Sequence, residues 1–100
     1  MPRLKYAAGV TDVELLRAMV DLAELAGLSV RSVGKRGSGE LEPESGVARL
    51  RDDIIVMLAG RDPVETQIGV VASALRDHAS SYMDEHFVPP LIRARVSGES

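Results

Sequence analysis

Apolar residues recur at three- and four-residue steps early in the chain, at Leu15, Leu16, Met19, Leu22, Ala23 and Ala26. That is the spacing of a helix with one buried face. Thr11 stands before it with Glu14 three positions on, the arrangement in which each side chain satisfies the other residue's free amide. Asp12 and Glu14 also complement the positive end of the helix, and Gly27 is placed to end it in a left-handed conformation. The pattern predicts a helix over 12–26. Leu28 to Val33 then reads as a strand entered directly from that helix. Residues 34–45 read GKRGSGELEPES, loop composition that predicts a flexible connection. From Gly46 to Arg51 the residues Val47, Arg49 and Arg51 alternate with Ala48 and Leu50, predicting a half-exposed strand. Arg51-Asp52-Asp53 is polar enough to turn. Ile54 to Leu58 is an uninterrupted apolar run with β-branched residues at its start, which predicts a central strand.

After Gly60, Asp62 is read as a cap, Pro63 as the first helical residue, where its missing amide costs nothing, and Glu65 as the partner of the cap. Val64, Ile68, Val71, Ala72, Leu75 and Ala79 form the apolar stripe of a second helix over 63–79. Its small residues Gly69 and Ala72 suggest a close approach to the sheet. Ser80-Ser81 weakens the helix, with an extension through Met83 as the alternative. Phe87-Val88-Pro89-Pro90 is extended by virtue of its prolines, Leu91 to Val96 forms a last short helix, and residues 97–100 form a disordered tail. Tyr6 and Val10 offer only a loose tether for the N-terminal ten residues. The order is α-β-β-β-α with a short C-terminal helix. The expectation is one α+β domain over residues 1–100, with a three-stranded, mostly antiparallel sheet. Its two main helices lie on one face and the Pro-Pro segment crosses an edge.

Composition narrows the function classes. With 45% hydrophobic residues and only Tyr6, Tyr82 and Phe87 as aromatics, the core is aliphatic and no base-stacking platform is available. The formal net charge of -3 opposes general affinity for nucleic-acid phosphates, which leaves a nucleic-acid-associated role as the least favoured reading. The absence of cysteine removes disulfides, thiolate nucleophiles and thiolate metal sites. No apolar run approaches a membrane span and the first ten residues do not form a signal sequence, so a cytoplasmic location without membrane contact is expected.

Candidate chemistry is sparse. His78 and His86 are eight positions apart, about 12 Å of rise on a continuous helix, too far to chelate one ion. If the chain turns at Ser80-Ser81, His78, Asp84, Glu85 and His86 converge, which defines an alternative as a small metal-dependent hydrolase or metal-binding protein. No Gly-x-Ser-x-Gly motif occurs. Gly34-Lys35-Arg36-Gly37-Ser38-Gly39 lacks the Gly-Lys-Ser/Thr order of a phosphate loop. No cofactor is expected. The more coherent feature is a set of basic residues, Arg31, Lys35, Arg36, Arg49, Arg51 and Arg61, on strands and loops predicted to be neighbours, opposite a predominantly acidic first helix. If Arg31, Arg49 and Arg51 share the exposed sheet face, they form a partner-binding surface. The leading expectation is a non-enzymatic interaction module whose partner is another protein or a second copy of itself.

The segments Leu22-Ala23-Glu24-Leu25-Ala26-Gly27-Leu28, Ile54-Ile55-Val56 and the helix opening at Asp62-Pro63 resemble the compact front part of the ImmA/IrrE-type zinc metallopeptidases. The likeness covers roughly the middle two-thirds of the chain and lies in topology and composition. In that family the helix after the apolar strand carries His-Glu-x-x-His, which binds zinc and supplies the general base. Here the corresponding turns read Ile68-Gly69-Val70-Val71-Ala72-Ser73-Ala74-Leu75. The resemblance therefore implies the scaffold without its zinc-binding motif, and no catalytic residue carries over. Phe87-Val88-Pro89-Pro90 also resembles a feature of small bacterial proteins built on this plan, a likeness that implies no activity.

Overall fold

The computed structural model describes residues 11–33 and 45–98. The first helix, α1 (Asp12–Leu25), begins as its sequence predicts. The Glu14 amide donates to Thr11 Oγ1 and the Thr11 amide to Glu14 Oε1, both at 3.1 Å. Its other end is closed by a Schellman motif. Gly27 has φ +98°, the Leu28 amide donates to the Ala23 carbonyl and the Gly27 amide to that of Glu24, both at 3.0 Å. Leu15, Met19, Leu22 and Ala23 are buried, and Leu28 joins them just past the turn.

The helix leads into β1 (Ser29–Val33), and β2 (Gly46–Leu50) is joined by a tight turn to β3 (Asp53–Ala59). The sheet order is β1-β3-β2, with β3 in the centre as its apolar run requires. The three-stranded α+β plan agrees with the sequence pattern. The sheet is mixed, since β2 pairs antiparallel to β3 and β1 pairs parallel to it. The physical reason is the hairpin. It makes β2 antiparallel to β3 on one edge and leaves β1 the other edge, where β1 runs in the same direction as β3.

Val56 and Leu58 of β3 point into the core with exposures of 0% and 5%, and Val30 and Ile54 pack beside them. The helix covering them is α2 (Val64–His78), which packs against α1 as well as the sheet. It buries Ile68, Val71, Ala72, Ala74 and Leu75. Its start differs from the sequence expectation. Pro63 is the cap residue and no side chain caps the helix. Asp62 accepts instead from the Ser45 amide, and Glu65 pairs with Arg95. Both carboxylates find their partners outside the helix. Gly69 also departs from expectation: it is exposed, with open space around its missing Cβ, while Ala72 does lie in the core.

The helix breaks at Ala79 (φ −136°, ψ 20°), where the chain starts α3 (Ser80–Glu85). An extended link from His86 to Pro89 leads to α4 (Pro90–Ser97), closed by Gly98 at φ +85°. Met83, Val88, Ile92 and Val96 enter the core. The Pro-Pro segment thus leads a helix that docks on α2, where the sequence suggested a sheet edge. Ile92 and Val96, four apart on one helical face, make the difference. The 34–45 connection lies outside the described residues apart from Ser45, as do the N-terminal ten residues and the last two.

Two substitutions test this local reading. Gly69→Ala removes a helix-interior glycine with nothing to clash against, so it should raise stability by about 0.5–1 kcal/mol in denaturant titration. A loss would mean that the position is packed. Arg51, in the β2–β3 turn, holds φ +60°, and Arg51→Gly should relieve that conformation with a net gain of about 0.5 kcal/mol. An unchanged or lower unfolding midpoint would contradict it.

Candidate functional site

Strand pairing assigns the arginines to different surfaces. Residues directly opposite across a pair of strands share a face. Arg31 lies opposite Met57, on the side away from the helices, whereas Arg49 lies opposite Ile54, on the helix side. Arg51 follows in the turn. All three are exposed, but they do not form one patch. A one-residue offset in register reverses the face of every side chain, and sequence alternation within β2 could not reveal its phase against β1. Lys35 and Arg36 lie outside the described residues.

The histidine cluster does not assemble either. Among the described residues, no three His, Asp or Glu side chains are placed to hold a metal ion. His78 ends α2, Asp84 and Glu85 close α3, and His86 follows them, all exposed. The His86 ring stacks on Tyr82 with centroids 3.9 Å apart, and its Nδ1 lies 2.9 Å from the Tyr82 carbonyl. A carbonyl only accepts, so Nδ1 carries the proton in that bond.

Two further polar groupings are structural. In a shallow depression bounded by α2, α3 and α4, Arg76 donates to the Val96 carbonyl at 2.8 Å and Arg93 to the Met83 carbonyl at 3.0 Å. Asp84 lines the same depression. These arginines tie the three C-terminal helices together. The second grouping joins the start of β2 to the end of β3. Ser45 Oγ accepts from the Ala59 amide at 2.9 Å, the Ser45 amide donates to Asp62 Oδ2 at 3.1 Å, and Gln67 Nε2 donates to the Asp62 carbonyl at 2.9 Å. The Ser45 hydroxyl and then its amide hold the Asp62 carboxyl below its ordinary value of 3.8. No spacing in the sequence announces this clasp, because its partners are 17 residues apart.

What remains is the outer face of the sheet. Alternation along β3 turns Asp53, Ile55 and Met57 away from Val56 and Leu58, and the register places Ser29, Arg31, Gly46, Ala48 and Leu50 beside them. Ile55, Met57 and Ala48 are only partly buried, and none of them packs against the main core. Leu50 is 58% exposed. The face therefore carries an apolar centre with an acid, Asp53, at one end and a base, Arg31, beyond the centre, before the row of Val33 and Ala59, where Ala59 is buried.

No family model, curated protein or solved structure matches this chain.

Asp62 supplies a pH test of the clasp. Its carboxylate is favoured in the folded state, so the stabilisation is complete above its ordinary pKa and is lost as pH falls through the lower folded value. Asp62→Asn should therefore lower the unfolding midpoint at neutral pH and lose less on acidification than the wild type. An equal penalty for Asp62→Asn at neutral and strongly acidic pH would contradict this role.

Proposed function

We propose that this chain is a non-enzymatic interaction module that meets another protein through the outer face of its sheet. The observation that carries this reading is the placement of Ile55, Met57, Ala48 and Leu50 on a face that no described helix covers. A partly exposed apolar cluster rimmed by charge is the composition of a protein contact surface. Arg31 belongs to that surface, whereas Arg49 and Arg51 lie outside it and serve solubility at the sheet edge.

Among the described residues the basic side chains give no continuous track for a phosphate backbone, which supports a protein partner over nucleic acid. No described helix is long and apolar enough to cross a membrane, and a location in the bacterial cytoplasm is part of the proposal.

Photo-crosslinking in cells tests the reading. A photoreactive amino acid placed at Met57 should give a discrete protein adduct, and the same group at Asp21, on the exposed side of α1, should give none. No adduct from position 57, or equal adducts from both positions, would overturn it.

A further inference from the structure

The outer face has an internal symmetry that points to its occupant. Four transverse rows follow from the strand register, and because Ala59 of the last, Val33 and Ala59, is 2% exposed, the contact surface is the three rows before it. The middle row is Ser29, Ile55 and Ala48. One flanking row is Arg31, Met57 and Gly46. The other holds Asp53 and Leu50. The outer rows are four residues apart along the strands, roughly 13 Å.

We propose that this face is a two-fold interface with a second copy of the chain, which rests on the interaction reading above and names its partner. The axis lies between two stacked sheets, perpendicular to the strands and along the Ser29–Ile55–Ala48 row. Rotation about it exchanges the outer rows, with the sheets stacked about 10 Å apart.

Three matches follow. Ile55 meets the Ile55 of the second copy at the centre. Leu50, 58% exposed, faces Gly46 of the second copy, where nothing lies within 4 Å of the position a Cβ would take. Asp53 lies over Met57 of the second copy with Arg31 of that copy one strand to the side, and the same arrangement recurs across the axis. Within one chain these two charges are four residues apart along the strands and on different strands, too far to pair, and neither side chain makes an ion pair or hydrogen bond among the described residues. A heterologous partner would have no reason to match this face under its own rotation. A two-fold contact requires that self-complementarity.

The face is small, roughly 15 Å by 17 Å from strand spacing and rise, well below the ~800 Å² per partner of a standard interface. Association is accordingly weak, with a dissociation constant on the order of 100 μM.

Sedimentation velocity on the purified, tag-free full chain, from about 10 μM to about 1 mM, reads the proposal directly. The wild type should shift from monomer to dimer across that range. Arg31→Asp and Asp53→Arg should each weaken the dimer by about tenfold or more, because each reversal sets two like-charged pairs across the axis. The double variant should restore it. Leu50→Lys should also abolish the dimer, and circular dichroism should show that every variant is folded. A wild type that stays monomeric throughout would overturn the proposal, as would a dimer indifferent to both reversals or a double variant that fails to recover. A monomer that still gives a heterologous adduct from position 57 in cells would overturn the second copy alone. A monomer with no adduct would overturn the interaction reading with it.

Discussion

β3 is apolar on both faces while the described helices cover only one of them, and that imbalance organises the molecule. Val56 and Leu58 are packed beneath α1 and α2, together with Met19, Ile68, Val71 and Leu75. Burial of these aliphatic side chains, each contributing about 1.5–3 kcal/mol, is what ties the two helices to the sheet. Ile55 and Met57 are equally apolar but have no comparable cover among the described residues. A strand of that composition ordinarily sits where both faces are dry. The helical layer settles the fold, and the uncovered layer carries the functional question.

The C-terminal third reinforces the covered side only. α4 packs on α2 through Ile92 and Val96, and Arg76, Arg93 and Arg95 tie its neighbours to carbonyls and to Glu65. Val88 anchors the extended link, while Phe87 beside it is 83% exposed. The polar contacts of this region are absorbed in joining helices. The same holds for Ser45, Asp62 and Gln67, which lock the hairpin to the start of α2.

Much of this architecture was legible in the chain because it depends on local chemistry. The Thr11–Glu14 box, Gly27 and the apolar run 54–58 each reflect rules acting within a few residues, and each appears in the fold. The features that were not legible depend on distant partners. Asp62-Pro63 has the form of a helix cap, yet Ser45 recruits that carboxylate. Arg31 and Arg49 look like companions until the register places them on opposite faces. His78, Asp84, Glu85 and His86 form no metal-holding group among the described residues, and His86 is taken up by stacking on Tyr82. The self-complementary face was invisible for the same reason, since it exists only once three strands have a common register.

Methyl-resolved NMR of the full chain over a dilution series tests the central claim most directly, because it reports each face separately. The methyl groups of Ile55 and Met57 should shift with concentration, and Leu50 should move with them, while Met19 and Ile68 in the core and Leu91 on α4 stay fixed. Spectra unchanged from dilute to concentrated solution, or shifts confined to α4 and Phe87, would contradict the account.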